Sequence, residues 1–289
     1  MKHTITLAHS PDPDDAFMWW PLADIDGSGP SIDVGEFEFE LVMKDIETLN
    51  AEAELGLYDV TAISIAHYPT VASIYDLTAC GASLGDGYGP KVVATKEITM
   101  DDLIRTNPVF AVPGLRTSAL ASLRILAGDR KVQWEPVEFT EIMDAVSAGK
   151  YDAGIVIHEG QLTFEASGLY EVCDLGAWWN EKTGLPLPLG GNTIKRDIDQ
   201  RFGDGATNKI SQLLLQSIEF AMSNRKKSLA WATKWGRGID MVDTDQFVEM
   251  YVNRWTLDFG ENGRIAVQQF LREAAKVGAV PEIRKVEIV

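Results

Sequence analysis

Two hydrophobic periods divide the chain. Up to about residue 200, short apolar runs rich in β-branched residues alternate with stretches where apolar positions recur at helical spacing. The first kind fits buried strands and the second amphipathic helices. Strands are expected at 4–8, 37–43, 60–65, 91–95, 109–112, 132–139, 153–157 and 170–175. Helices are expected at 16–22, 46–57, 69–74, 100–106, from Thr117 onward, and at 140–148. The passage 176–192, rich in Trp, Pro and Gly, follows neither period and reads as irregular, with order resuming at 193–198. From Asn208 onward the helical period takes over, at 208–224, 226–235, 243–253 and 263–278, before a last strand pattern at 283–288.

Strand–helix alternation argues an α/β protein with parallel sheets. The closing helices are expected to return to the first half. Residues 1–94 with 192–289 would form a larger, discontinuous lobe, and 95–191 a smaller inserted one. Two crossing strands, near Thr95 and near Gly190, would be the hinge. The loops after Leu7, Ile65, Val112 and Ile157 would then face one another across a cleft.

Length and charge narrow the partners. A chain of 289 residues is long enough for two domains. Its net charge of −17 disfavours nucleic acid and anionic membrane surfaces. An anionic ligand would need local donors, such as a helix N-terminus. Met1 to Leu7 runs straight into a strand pattern with no apolar leader, and no run approaches the roughly 18 apolar residues of a membrane span. Cys80 and Cys173 form no framework, and the four histidines show no metal spacing. A reduced, cytoplasmic, soluble protein without metal or cofactor is expected, its oligomeric state left open between monomer and homodimer.

The candidate chemistry lies at strand ends, where open α/β sheets bind ligands. His158 follows the apolar run 153–157 and is a candidate general base, its ordinary pKa lying near neutrality. A His bonded to a loop carbonyl for structure alone is the alternative. Glu159, one residue on, is expected to point away from the cleft. Ser10 follows the first strand in a loop stiffened by Pro11 and Pro13, with Asp14 as the expected helix cap. That Ser could face a ligand or merely start a helix. Ser64 sits near the end of the third strand. His67 after it reads better as a surface or capping residue. Thr117 and Ser118 open a helix after Val112-Pro-Gly-Leu-Arg116, either as an N-cap or as a carboxylate or phosphate seat. Gly85-Asp-Gly-Tyr-Gly-Pro90 lacks the Lys and the following helix of a phosphate loop and reads as a turn whose glycines would let backbone approach a ligand.

Several stretches carry a family resemblance in one order along nearly the whole chain. They are the Ser10-Pro11 loop, Glu47-Thr-Leu-Asn50, Ser64, Gly87-Tyr-Gly-Pro-Lys-Val-Val-Ala94, Val112 through Ala119, Ile157-His-Glu159, Asp174-Leu-Gly-Ala-Trp-Trp179 and Thr183 through Gly190. The chain resembles the enzymes of the futalosine route to menaquinone that include 1,4-dihydroxy-6-naphthoate synthases and chorismate dehydratase. The block from Asp174 to Gly190 points to the synthase branch. The resemblance implies a two-lobed fold like that of type II periplasmic binding proteins, with the cleft as active site. It implies a lyase acting on a small carboxylate substrate, cyclic dehypoxanthine futalosine, with His158 as base and no cofactor. Substrate contacts carry over to Asn50, Ser64, Thr117 and Ser118. A related lyase, or a non-catalytic solute-binding protein, is the competing expectation. The first loop departs from the family, which usually reads Ser-Pro-Cys-Pro-Asn-Asp where this chain has Asp12 and Asp14. Two added acids facing the cleft could repel a carboxylate.

Overall fold

The computed structural model describes residues 2–235 and 239–289. Its strands form two mixed sheets. The first contains β1 (His3–His9), β2 (Phe37–Met43), β3 (Val60–Ser64), β4 (Tyr75–Leu77), β5 (Ser83–Gly85) and, far along the chain, β11 (Leu187–Lys195). The second contains β6 (Lys91–Ala94), β7 (Val109–Val112), β8 (Gln133–Pro136), β9 (Ala153–Val156) and β10 (Tyr170–Asp174). The first runs β2-β1-β3-β11-β4, with β5 also on β11; the second runs β10-β6-β9-β7-β8.

Parallel pairing joins β1 to β2 and β3, and β7 to β8 and β9. The central strands are buried throughout, as Val60–Ser64 and Ala153–Val156 are, which is why their sequences are continuous apolar runs rather than alternating ones. The pairings made by β11, β6 and β10 are antiparallel. Sheet membership differs from the expected division at 94/95 and 191/192. Lys91–Ala94 hydrogen-bonds within the second sheet, and the strand from Leu187 belongs to the first.

The passage expected to be irregular is ordered. Leu175–Thr183 is a helix, because Asp174 accepts hydrogen bonds from the Gly176 and Ala177 amides at 2.8 and 3.0 Å and Gly184 ends it in the left-handed conformation. Leu187–Lys195 is the longest strand described, despite Pro188 and the Gly190-Gly191 pair. A register shift between Pro188 and Gly190 accommodates the proline. The last strand pattern, 283–288, yields only an isolated bridge from Ile288 to Leu77.

The helices of the last third pack where their pattern says. Ala206–Ser223 buries Ile210, Leu214, Ser217, Ile218 and Ala221, a stripe at three- and four-residue spacing, against the helix Pro13–Trp19. Gly260–Lys276 buries Val267, Phe270, Leu271 and Ala274 in a core that also holds Ile63 and Tyr68 of the first half and Phe110, Val112 and Leu120 of the second sheet's layer. One apolar core is therefore shared by both sheets. No described helix is long and apolar enough to cross a membrane.

Candidate active site

A cleft of about 740 Å³, counted to its open mouth, lies between the two sheets. β1 delivers the first wall. It ends at His9, and Ser10 leads into the helix Pro13–Trp19. The loop is closed by Asp15, whose Oδ2 accepts from the Ser10 amide at 2.8 Å and from Ser10 Oγ at 3.0 Å. Asp12, not Asp14, occupies the cap position, and its side chain makes no capping bond. It turns into the cleft instead, where its Oδ2 accepts from Ser10 Oγ at 2.5 Å.

Asp14 and Asp15 also line the cleft, and both are buried. Burial, then the neighbouring Asp15 and Asp12, raise the Asp14 carboxyl to about 8, so near neutral pH it is largely protonated. Ser83 Oγ lies 3.3 Å from Asp14 Oδ2. Burial also raises Asp15, against the opposing pull of His9 and of the Ser10 amide. His9 is pushed down by burial, and its Nδ1–H donates to the Ser10 carbonyl at 2.7 Å. The two added acids therefore do not face a ligand as two free charges.

β3 delivers Ser64, which lines the cleft. Asn50 is fully buried behind it, off the lining. Its Oδ1 accepts from the Ser64 amide at 2.8 Å and its Nδ2 donates to Ser64 Oγ at 3.0 Å. Both ends of the amide thus orient Ser64. His67, expected as a surface or capping residue, is buried at the cap position of the helix Tyr68–Val71, where its side chain makes no capping bond and Nε2 lies 3.4 Å from Glu54.

β7 leads into the helix Ser118–Ala127, and both expected residues reach the cleft. Their hydroxyls are already used. Thr117 Oγ1 donates to the Gly114 carbonyl at 3.0 Å and accepts from the Leu120 amide at 3.2 Å. Ser118 Oγ donates to the Leu189 carbonyl at 2.6 Å and accepts from the Ala66 amide at 3.1 Å. Arg116 pairs with Glu47 and Glu54 at 3.0 and 2.8 Å, and Glu47 also takes the Arg116 amide. The chain's own carboxylate thus occupies part of the anion seat expected there.

His158 stands on the second sheet's side. β9 stops at Val156, and His158 adopts φ +54°, one of two non-glycine residues with positive φ among those described. That conformation is uncommon outside glycine, though His is enriched in it. The ring lines the cleft, packs edge-on against Phe139 at 4.9 Å, and brings Nδ1 to 2.9 Å from Asp12 Oδ2. Glu159 is buried and does not line the cleft.

Sequence reasoning missed the rest of the lining. Asn192 of β11 donates through Nδ2 to the Gly81 carbonyl at 2.8 Å, while its buried Oδ1 has no partner. Gln161 accepts from the Tyr251 hydroxyl at 2.8 Å, and Phe247 stands one helical turn before that Tyr. Asn192 and Tyr251 reach the cleft only through long-range packing, so no local pattern marks them. Among the described lining residues there is no Lys or Arg.

Two sheets facing across a ligand-sized cleft, joined by the segments 86–90 and 175–186, define the architecture of the periplasmic binding proteins. The aliphatic sulphonate binding protein of Escherichia coli shares it at a TM-score of 0.64 with 13% identity, over 98% of this chain and 90% of that one. The family model for menaquinone biosynthesis matches residues 5–276, and the chain belongs to that family. It is 34% identical over 286 residues to the 1,4-dihydroxy-6-naphthoate synthase of Streptomyces coelicolor, covering 97% of this chain and 96% of that protein. The synthase of Thermus thermophilus is likewise 34% identical over 283 residues, covering 97% of each. A crystal structure of an Archaeoglobus fulgidus protein superposes with a TM-score of 0.87 at 37% identity, over 96% of this chain and 99% of that one.

Proposed function

We propose that this chain is a carbon–carbon lyase of menaquinone biosynthesis. It converts cyclic dehypoxanthine futalosine to 1,4-dihydroxy-6-naphthoate in the cytoplasm. The observation that carries the reading is the full-length likeness to two synthases in a chain whose cleft places His158 among Ser10, Ser64, Thr117 and Ser118. An aromatising fragmentation needs a base for a proton beside a carbonyl and donors for the oxyanion that develops. His158 takes the proton, a role typically worth about 10²–10⁴-fold. Ser64, aligned by Asn50, and the protonated Asp14 are neutral donors. One well-placed donor is worth about 10²–10³-fold. The substrate carboxylate meets hydroxyls and amides rather than a cation. Asn192 Oδ1, buried without a partner, offers an acceptor to a substrate hydroxyl.

The test is turnover. Purified protein incubated with cyclic dehypoxanthine futalosine should release the naphthoate, and His158→Asn should bind substrate while kcat falls by about 10² or more. Binding without release by the wild-type protein would leave a solute-binding role. Release of product at the full rate by a folded His158→Asn would remove His158 from the chemistry.

A further inference from the structure

We propose that Asp12 is the positioning residue of the base, holding the imidazole of His158 by Nδ1 from the opposite wall of the cleft. The inference rests on the reading of His158 as base and adds a residue to it. Three observations carry it. Asp12 stands at the N-terminal cap of Pro13–Trp19, where an Asp ordinarily accepts from the first free amides, yet its side chain makes no such bond. The same oxygen, Oδ2, receives Ser10 Oγ at 2.5 Å and lies 2.9 Å from His158 Nδ1. The Asp12 side chain is only 3% exposed and that of His158 17%, so the contact is largely shielded from water.

The consequences follow from imidazole chemistry. A carboxylate accepts, so it fixes the neutral ring with its proton on Nδ1. The lone pair is then on Nε2, the nitrogen remote from Asp12. Proton abstraction at Nε2 leaves an imidazolium whose charge sits beside the carboxylate, which lowers the cost of the charged state. Ser10, held in turn by Asp15, keeps Asp12 from swinging away. The ring has a second constraint, the edge-on contact with Phe139. The left-handed backbone at His158 fits this account. A backbone kept in an uncommon conformation is one that the surrounding structure over-determines.

Nitrogen NMR of the imidazole side chains tests this without substrate. In the wild-type protein above the titration of His158, the His158 resonance should report the proton on Nδ1. A proton on Nε2, or an even mixture, would overturn the proposal whatever the enzyme's turnover. Asp12→Ala should lose the Nδ1–H signature and reduce kcat by at least about 10-fold with KM changed by less than about 3-fold, the loss of orientation seen when an orienting carboxylate is removed. Added formate, which can fill the vacated carboxylate position, should restore part of kcat. A normal kcat in Asp12→Ala, beside an inactive His158→Asn, would sink the role of Asp12 and leave the base in place. A normal kcat in both variants would instead remove the base itself. If Asp12→Ala does not fold, Asp12→Asn and the wild-type tautomer still decide.

Discussion

Asp14 is the residue whose chemistry the fold changes most. It lies in the first turn of the helix Pro13–Trp19, buried, with Asp12 and Asp15 as neighbours, and it cannot ionise cheaply there. Its folded pKa of about 8 lies above the ordinary value of 3.8, so the folded state keeps a proton that the unfolded state releases. The sign is therefore opposite to that of a salt-bridged Asp. The stability contribution of this carboxyl is full below its unfolded pKa and is lost as pH rises toward 8. Asn reproduces the neutral shape at every pH. Asp14→Asn should raise Tm only slightly near about pH 5 and by roughly 2–6 °C near about pH 8.5, as read by thermal unfolding at both. An equal shift at the two pH values would mean that Asp14 is not the group being relieved. Asp14 was read from the chain as a cap and as a source of repulsion. Its neutrality was not legible, because the largest cause is burial, which only the folded chain imposes, while the crowding acids Asp15 and Asp12 stand beside it in the sequence.

Among the elements, the helix Leu175–Thr183 shows how a local signal can be present and overridden in reading. Asp174 is a good cap and Gly184 a good terminator, but Gly176 in the first turn and Trp178-Trp179 argue against a helix by propensity. Packing decides it. Trp179 is fully buried, donates to the Pro186 carbonyl at 3.1 Å and meets Phe270 edge-on at 5.7 Å. Gly176 is required because the turn 85–90 lies directly on it: a Cβ there would come within 1.8 Å of the Tyr88 carbonyl. The turn was expected to bring its backbone close to a ligand; its close approach is made to this helix. Gly176→Ala should therefore destabilise by about 1–3 kcal/mol or more, seen as a lower urea midpoint. A neutral substitution would mean the turn moves aside freely. The runs 60–65, 109–112 and 153–157 were legible because buried strands of β-branched residues resemble little else, and 37–43 was legible by its alternation of apolar and polar positions. β11 was not, since Pro188 and two glycines mask a strand whose order comes from partners on β3 and β5. Of the candidate site, Ser10, Ser64, Thr117, Ser118 and His158 stand at strand ends or helix starts and line the cleft, though position alone left a structural role open for each. Asn50 came from the family resemblance and lies behind Ser64, off the lining.

At the scale of the molecule, the shared core bears on how the two halves move and melt. The two passages of the chain between the sheets, at 86–90 and 175–186, suggest a hinge. Yet Ile63, Tyr68, Phe110, Leu120 and Phe270 belong to one continuous apolar cluster, and Ser118 bonds both Ala66 and Leu189. Sliding one sheet far from the other would open that core to water, at about 25 cal/mol for each Å² exposed. Heating should accordingly produce one cooperative calorimetric transition, with the calorimetric and van't Hoff enthalpies equal. Two resolved transitions would mean that the sheets are stabilised separately.

The place of β11 also sets an order of events on the ribosome. β3 pairs with β1 on one side, but its other neighbour, Gly190–Ile194, is made more than a hundred residues later. At ~5–20 residues per second, the nascent chain displays the unpaired edge of a strand that is buried in the fold for on the order of ten seconds. The whole second sheet is synthesised within that interval. The emerging first sheet therefore depends on being shielded until its last strand arrives. Synthesis paused before Leu187 should leave an aggregation-prone nascent chain, whereas release after Lys195 closes the edge.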